Sequence, residues 1–468
     1  KMKKLFFLLA MSTQVLFAQN IGFNGAGLFE NYDRDVEQYL ADLNQPFTIR
    51  FPGGSISKFH DPYNVRRGWG MSAENIKDWF QRTGFDEDGN GMEKWVRKAE
   101  EQPDHSYMDD LIAMQKRFPQ MTVLWVLNVL NSTPEANMQA IRYLMNGGVH
   151  IVGVEAGNEI YGKYATFDEY IHDFEPIFKM MRAEYPDVKL ALIAGANLNR
   201  KELVRWNDAM AQYKGDYDAV VLHYYYTSRE LGEAYDMIPL RGKYDPEKPN
   251  KDLDKAYAKA ADLLAKNDLL GNGIKYAKQQ FKGKEIWITE WNTKPSDMLN
   301  NTILNGAWQF EQLITMRQQA EYLIIHNGVS PDKYGMISKT NKYDSEKGEM
   351  LKRIGYFAYM LAGEAGDAQK ISPTEKNVIS APVNGVVRMY FTNTECNPFT
   401  PNIDLGKYKG ADITINYVAG KHLYSGSGTT GYMGKGSVPS YEVKGITREK
   451  FSGSIPAYSF GYLEIRVK

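Results

Sequence analysis

Eight short apolar runs between Ile21 and His326, separated by amphipathic stretches, constrain this chain more than any other feature. They cover Ile21–Gly25, Phe47–Phe51, Thr122–Asn128, Ile151–Gly157, Lys189–Ala194, Ala219–His223, Glu285–Thr289 and Tyr322–His326. Near-continuous apolar runs of this length read as strands covered on both faces, the situation of a parallel sheet. The stretches Asp33–Leu43, Ser106–Phe118, Pro134–Met145, Thr166–Tyr185, Asp252–Phe281 and Ala307–Gln319 repeat apolar residues at three- and four-residue spacing, so helices are expected there. Repeated βα units without a glycine-rich phosphate fingerprint favour an α/β fold, a closed (β/α)8 TIM barrel, over an open doubly wound sheet.

A last barrel helix is expected over Lys347–Ala362, and beyond Gly366 the pattern changes. Gly385–Thr392, Ala411–Val418 and Tyr458–Arg466 alternate apolar and polar residues between Gly, Ser, Pro and Asn turns, as in an all-β, sandwich-like C-terminal domain. At the other end, Lys3 and Lys4 precede an apolar segment, Leu5 to Phe17, too short to span a bilayer, with the small Ala18 before Gln19. The expected division is therefore a signal peptide over 1–18, a catalytic barrel over 19–365 and a β domain over 366–468, in an exported protein that is periplasmic or secreted. One cysteine, Cys396, leaves no internal disulfide. With 56 basic and 57 acidic side chains there is no global field to draw nucleic acid or an anionic membrane, so neither is an expected partner. Oligomeric state is not legible.

Two of the eight runs lead into a glutamate: G-V-E-A-G-N-E at 153–159 and E-I-W-I-T-E-W-N at 285–292. Acids at the carboxyl ends of barrel strands sit on the face where such barrels place their chemistry. Retaining glycoside hydrolysis needs two carboxyls roughly 5–5.5 Å apart, one attacking the anomeric carbon and one protonating the leaving oxygen. Glu159 and Glu290 are the candidates. The donor must be protonated when substrate binds, and burial plus a neighbouring negative charge are expected to raise the pKa of Glu159. Asn158 is placed to bond the sugar's 2-hydroxyl.

These motifs resemble glycoside hydrolase clan A. G-V-E-A-G-N-E is similar to that clan's W-E-x-G-N-E acid/base motif, I-T-E-W-N to its strand-seven nucleophile motif, and I-R-F-P-G-G at 49–54 to the strand-two segment of its arabinofuranosidase-like and heparanase-like members. The match extends to β-xylosidases and some agarases. It implies a retaining double displacement on a plant or algal polysaccharide or its oligosaccharides, with Glu159 as acid/base and Glu290 as nucleophile. By the same analogy Arg50 lies near the nucleophile, and His223, in V-V-L-H-Y-Y-Y-T at 220–227, contacts substrate or nucleophile. One of Tyr224, Tyr225 and Tyr226 is expected to bond Glu290, the sequence not saying which, and Tyr225 is counted among the substrate-binding candidates. Val154 stands where the motif has tryptophan, and strand eight ends in His326 where many members place a tryptophan beneath the sugar, so an unusual pocket is expected.

Asn24 and Asn128 end strands one and three and either bond sugar hydroxyls or shape turns. Trp291 either stacks on sugar or fills the rim, while Tyr161, Tyr164, Trp69 and Trp308 read better as packing than as subsite walls. The loops at 55–105 and 227–251 are long enough to wall a cleft, and His60, Arg66 and Arg67 hint at an acidic or sulfated glycan. D-E-D-G-N-G at 86–91 imitates the start of a calcium loop, but its twelfth position is Arg97, so a solvated acidic loop is the stronger reading. No zinc motif is present, and the mechanism calls for no metal or cofactor. A non-catalytic carbohydrate-binding barrel is the alternative from another functional class.

Overall fold

The structure is a computed structural model describing residues 21–468 except 26, 62–63, 65, 84–90, 238–250, 295–298, 300, 331–333, 340–349 and 428–442. The expected leader and the 86–90 part of the acidic loop lie outside the described residues, as does most of the loop at 227–251.

Eight parallel strands close into a barrel in chain order: β1 (Ile21–Asn24), β2 (Thr48–Phe51), β3 (Thr122–Val126), β4 (Ile151–Glu155), β5 (Lys189–Ile193), β6 (Ala219–Tyr226), β7 (Glu285–Thr293) and β8 (Tyr322–Ile325). This is the TIM barrel that the apolar runs predict, and β1 pairs with β8 to leave no edge. β6 and β7 continue past their apolar runs, to Tyr226 and Thr293, because their last residues alternate between the mouth and the barrel flank while the pairing goes on. Between Leu222 and His223 the register slips so that Leu222 faces Ile288 but His223 faces Glu290. Thr289 is the extra residue, a bulge of the kind that re-aims side chains near active sites.

Two helical expectations and one loop expectation change. Asp252–Phe281 is two helices, Lys251–Lys266 and Leu269–Gln280, because Asp268 caps the second through the Gly271 amide at 3.0 Å. The Tyr226 hydroxyl fills the break, accepting from the Leu269 amide at 2.8 Å and donating to the Asn267 carbonyl. The last barrel helix spans Ile354–Ala365 rather than starting at Lys347, since Met350–Lys352 (β10) pairs antiparallel with Ile337–Lys339 (β9). Residues 55–105 are also less open than a loop, containing helices Ala73–Thr83 and Gly91–Glu100.

Beyond the barrel lie β11 (Gln369–Lys370), β12 (Asn377–Val378), β13 (Val386–Asn393), β14 (Ile403–Asp404), β15 (Asp412–Ala419), β16 (Thr447–Lys450) and β17 (Ser459–Arg466). Five of them form one sheet in the order β11-β13-β17-β15-β16, and β12 pairs with β14. Strand alternation splits the sheet's apolar residues between two cores. Tyr390, Val418, Phe460 and Tyr462 join the barrel's core, with Phe460 and Tyr390 against Phe310 of the helix Ile303–Met316 at ring distances of 5.5 and 6.1 Å. Met389, Phe391, Ile415, Leu463 and Ile465 face the other way, under Ile371, Ile379 and Ile455. Among the described residues no helix is long and apolar enough to cross a membrane.

Candidate active site

β4 stops at Glu155, and the turn that follows delivers Glu159. Gly157 takes φ +107°, and a Cβ there would sit 2.8 Å from Ile160 Cγ2 and 3.0 Å from Val129 Cγ2, so the turn needs glycine. Glu159 itself is held at φ +45°, an uncommon region for a residue with a side chain. The turn brings it over the end of β7: one oxygen of Glu159, one of Glu290 and a ring nitrogen of His223 all lie within 4.8 Å of one another. The two carboxyls therefore face one another across the barrel mouth.

Glu290 is gripped from several sides. Arg50 Nη1 donates to its Oε1 at 2.7 Å, and the Tyr225 hydroxyl donates to its Oε2 at 2.6 Å. His223 Nδ1 and His326 Nδ1 each stand 3.8 Å from Oε2. Arg50 also binds Glu155 Oε2 through Nε at 2.9 Å and Nη2 at 2.8 Å, Asn24 Oδ1 through Nη1 at 3.1 Å and Asn158 Oδ1 through Nη2 at 2.9 Å. The P-G-G turn after β2 permits this packing, since a Cβ on Gly53 would collide with Asn24 Oδ1. His223 bridges the acids, with Nδ1 3.0 Å from Glu159 Oε1 and Nε2 3.3 Å from Thr289 Oγ1.

The electrostatics separate the two carboxyls. Burial works to raise Glu290, but the charges of His223, His326 and Arg50, with the Tyr225 hydrogen bond, win and hold it far below the usual carboxylate range. Glu159 keeps 40 % of its side chain exposed at the mouth. Its pKa runs opposite to the expectation from sequence: burial and Glu290 push it up, but the hydrogen bond and charge of His223, helped by Lys58, bring it below the ordinary value. Burial, reinforced by Glu290, raises the Tyr225 hydroxyl well above its ordinary value, so it stays a donor.

The structure assembles Arg50, Asn158, Glu159, His223, Tyr225, Glu290 and His326 in one place. Of the three tyrosines it picks Tyr225, because alternation along β6 turns Tyr224 and Tyr226 to the outside. At three positions counted among the sugar contacts, the structure favours the structural alternative. Asn24 is fully buried, its amide spent on the Thr289 carbonyl at 2.9 Å and its oxygen on Arg50. Asn128, 1 % exposed, ties the His60 carbonyl and the Asn131 amide into a turn. Trp291 is buried against Trp308 at 5.5 Å and fills the rim. Trp69, Tyr164 and Trp308 are likewise committed to packing or to scaffold hydrogen bonds. The basic hint in the long loop weakens too: burial pushes His60 down to about 4, and Arg67 binds the Gln102 carbonyl and Asp104.

Sequence reasoning missed Glu155, Thr289 and Lys58, and read Tyr161 as packing. Glu155 was detectable in principle, since an acid inside a buried strand requires a cation and Arg50 lies on β2, two strands away. Lys58, 3 % exposed, acts on Glu159 from the turn after β2, and the Tyr161 hydroxyl is raised by burial and by the nearby Glu159.

No family model matches the sequence, and no curated protein matches it. Solved structures do. Over 97 % of this chain and 96 % of the other, it superposes on a GH51 arabinofuranosidase from Xanthomonas axonopodis pv. citri with a TM-score of 0.60 at 13 % identity. The chain is similar in fold to this arabinofuranosidase. A family 51 α-L-arabinofuranosidase from Bifidobacterium longum matches over 96 % of this chain and 95 % of its own, with a TM-score of 0.57 at 11 % identity. Both superpositions run through the barrel and the C-terminal sheets, so the whole architecture is shared with these glycosidases.

Proposed function

We propose that this protein is a retaining glycoside hydrolase acting on a plant or algal polysaccharide or its oligosaccharides. The observation that carries the reading is the meeting of Glu159 and Glu290 within 4.8 Å, one partly exposed and one buried and ionised. Glu290, the nucleophile, attacks the anomeric carbon while Glu159 protonates the departing oxygen; Glu159 then takes a proton from water, which releases the sugar. To act as donor Glu159 must hold a proton; burial and the Glu290 charge push it towards that form, against the pull of His223, whose Nδ1 is 3.0 Å away, and of Lys58. Asn158 gives its oxygen to Arg50, which leaves its amide to donate to the 2-hydroxyl. His326 lines the pocket where the resemblance would place a tryptophan, its ring 6.0 Å from Tyr225 and 5.1 Å from Tyr334.

In this reading residues 19–365 form the catalytic barrel, 366–468 a supporting β domain, and 1–18 an export signal. The test is a panel of aryl glycosides and polysaccharides, followed by an activated 2-deoxy-2-fluoro glycoside of whichever sugar is released. Trapping that sugar on Glu290, identified by peptide mass, supports the assignment. Saccharide binding without turnover across the panel would leave the carbohydrate-binding barrel as the function.

A further inference from the structure

The mouth chemistry leaves one buried charge unused. Glu155 is fully buried at the end of β4, touches neither Glu159 nor the pocket opening, and binds Arg50 through two nitrogens at 2.9 and 2.8 Å. Arg50, also fully buried, thus has two carboxylate partners, Glu155 and Glu290. An enzyme that only needed Glu290 ionised could use a single pair.

The two-step reaction explains the second acid. In the first step a Glu290 oxygen forms a bond to the anomeric carbon, the bond from that carbon to the leaving oxygen breaks, and its electron pair takes the proton of Glu159. Glu290 becomes a neutral ester and the negative charge appears on Glu159. Arg50 makes no contact with Glu159 among its hydrogen bonds, so without Glu155 its charge would be stranded in a dry site at the moment the intermediate forms. We propose that Glu155 is the standing counter-ion of Arg50, a positioning residue that keeps the guanidinium paired and aimed at Asn24, Asn158 and Glu290 while Glu290 gains and loses its charge. The geometry suits this role, since Glu155 takes the Nε edge and Nη2 and leaves Nη1 to turn towards the nucleophile.

This inference rests on the retaining reading above, and one experiment separates the two. Glycosylation and deglycosylation are measured by pre-steady-state kinetics in wild type and Glu155→Gln, which keeps the shape and removes the charge. Expected is a fall in the glycosylation rate of about 10–150-fold, the worth of a charged hydrogen bond. Deglycosylation, in which Arg50 regains its partner, is unchanged or faster, so the burst of released aglycone disappears. In an Arg50→Gln background the same substitution should cost less than about threefold, the signature of coupling through Arg50; that double variant also serves if Glu155→Gln alone does not fold. Equal slowing of both steps, or an undiminished cost without Arg50, overturns the counter-ion role. A wild-type enzyme that forms no covalent intermediate overturns the retaining reading itself.

Discussion

Two neighbouring tyrosines on β6 offer a matched pair of perturbations. Tyr225 donates to Glu290 Oε2 at 2.6 Å, and its ring is held by His326, Tyr334 and the Lys294 ammonium 4.9 Å from its centroid. Tyr225→Phe therefore deletes one oxygen from an otherwise fixed ring. A hydrogen bond to a charged group contributes about 1.5–3 kcal/mol, so if it positions the nucleophile for attack, kcat/KM should fall roughly 10–150-fold. Tyr226→Phe removes a hydroxyl of the same strand that instead bridges Asn267 and Leu269 on the barrel flank. Its loss strands two backbone groups, costing about 1–3 kcal/mol of stability while kcat/KM at low temperature stays near wild type. Steady-state kinetics on the best aryl glycoside and thermal denaturation of both variants decide the matter. If Tyr225→Phe retains wild-type kcat/KM, or if both variants lose activity alike, the hydrogen bond to Glu290 is not the reason for the tyrosine.

Other outcomes follow from the same site. Glu159→Gln and Glu290→Gln should each lower turnover by at least about a thousandfold, and azide acting on an activated substrate should give a glycosyl azide of retained configuration with Glu159→Ala and of inverted configuration with Glu290→Ala. Because the fold holds Glu290 below the usual carboxylate range, its stabilisation is fully present above the unfolded value of about 4.3 and drains away as pH falls towards the folded value. Wild type should consequently lose more thermal stability than Glu290→Gln between about pH 6 and pH 3, read by melting temperature. Gly157→Ala forces a Cβ against Ile160 and Val129 at φ +107°, and should destabilise by more than about 1 kcal/mol and depress kcat through misplacement of Glu159. Unchanged melting and kcat would show that the turn tolerates a side chain.

The barrel was legible because strands covered on both faces spell themselves as apolar runs, and helices between them keep their period. What escaped was written by contacts between distant segments. Periodicity carries straight across Asn267 and Asp268, so nothing local announces the break that Tyr226 fills from another strand. The run of apolar letters ends at Thr289 although β7 does not, because Trp291 turns to the flank and Asn292 engages Gln309. The two catalytic candidates stood out as acids at strand ends. The downward pull on Glu159 did not, since it comes from His223, whose approach depends on a bulge that no single-strand pattern reveals. Alternation alone could have chosen Tyr225, given that His223 faces inward two residues earlier.

The helix Ile303–Met316, which follows β7, begins on borrowed acceptors. Its first amides, on Ile303 and Leu304, donate to the carbonyls of Ser425 and Leu423 at 2.9 Å, and Asn301 reaches Ser427 at 2.8 Å. A gene fragment ending after the barrel would thus produce a protein whose seventh βα unit starts with orphaned donors and a bare apolar flank. Excising the tail to obtain a minimal catalyst should yield insoluble material, and grafting a foreign module in its place would require rebuilding those carbonyls first.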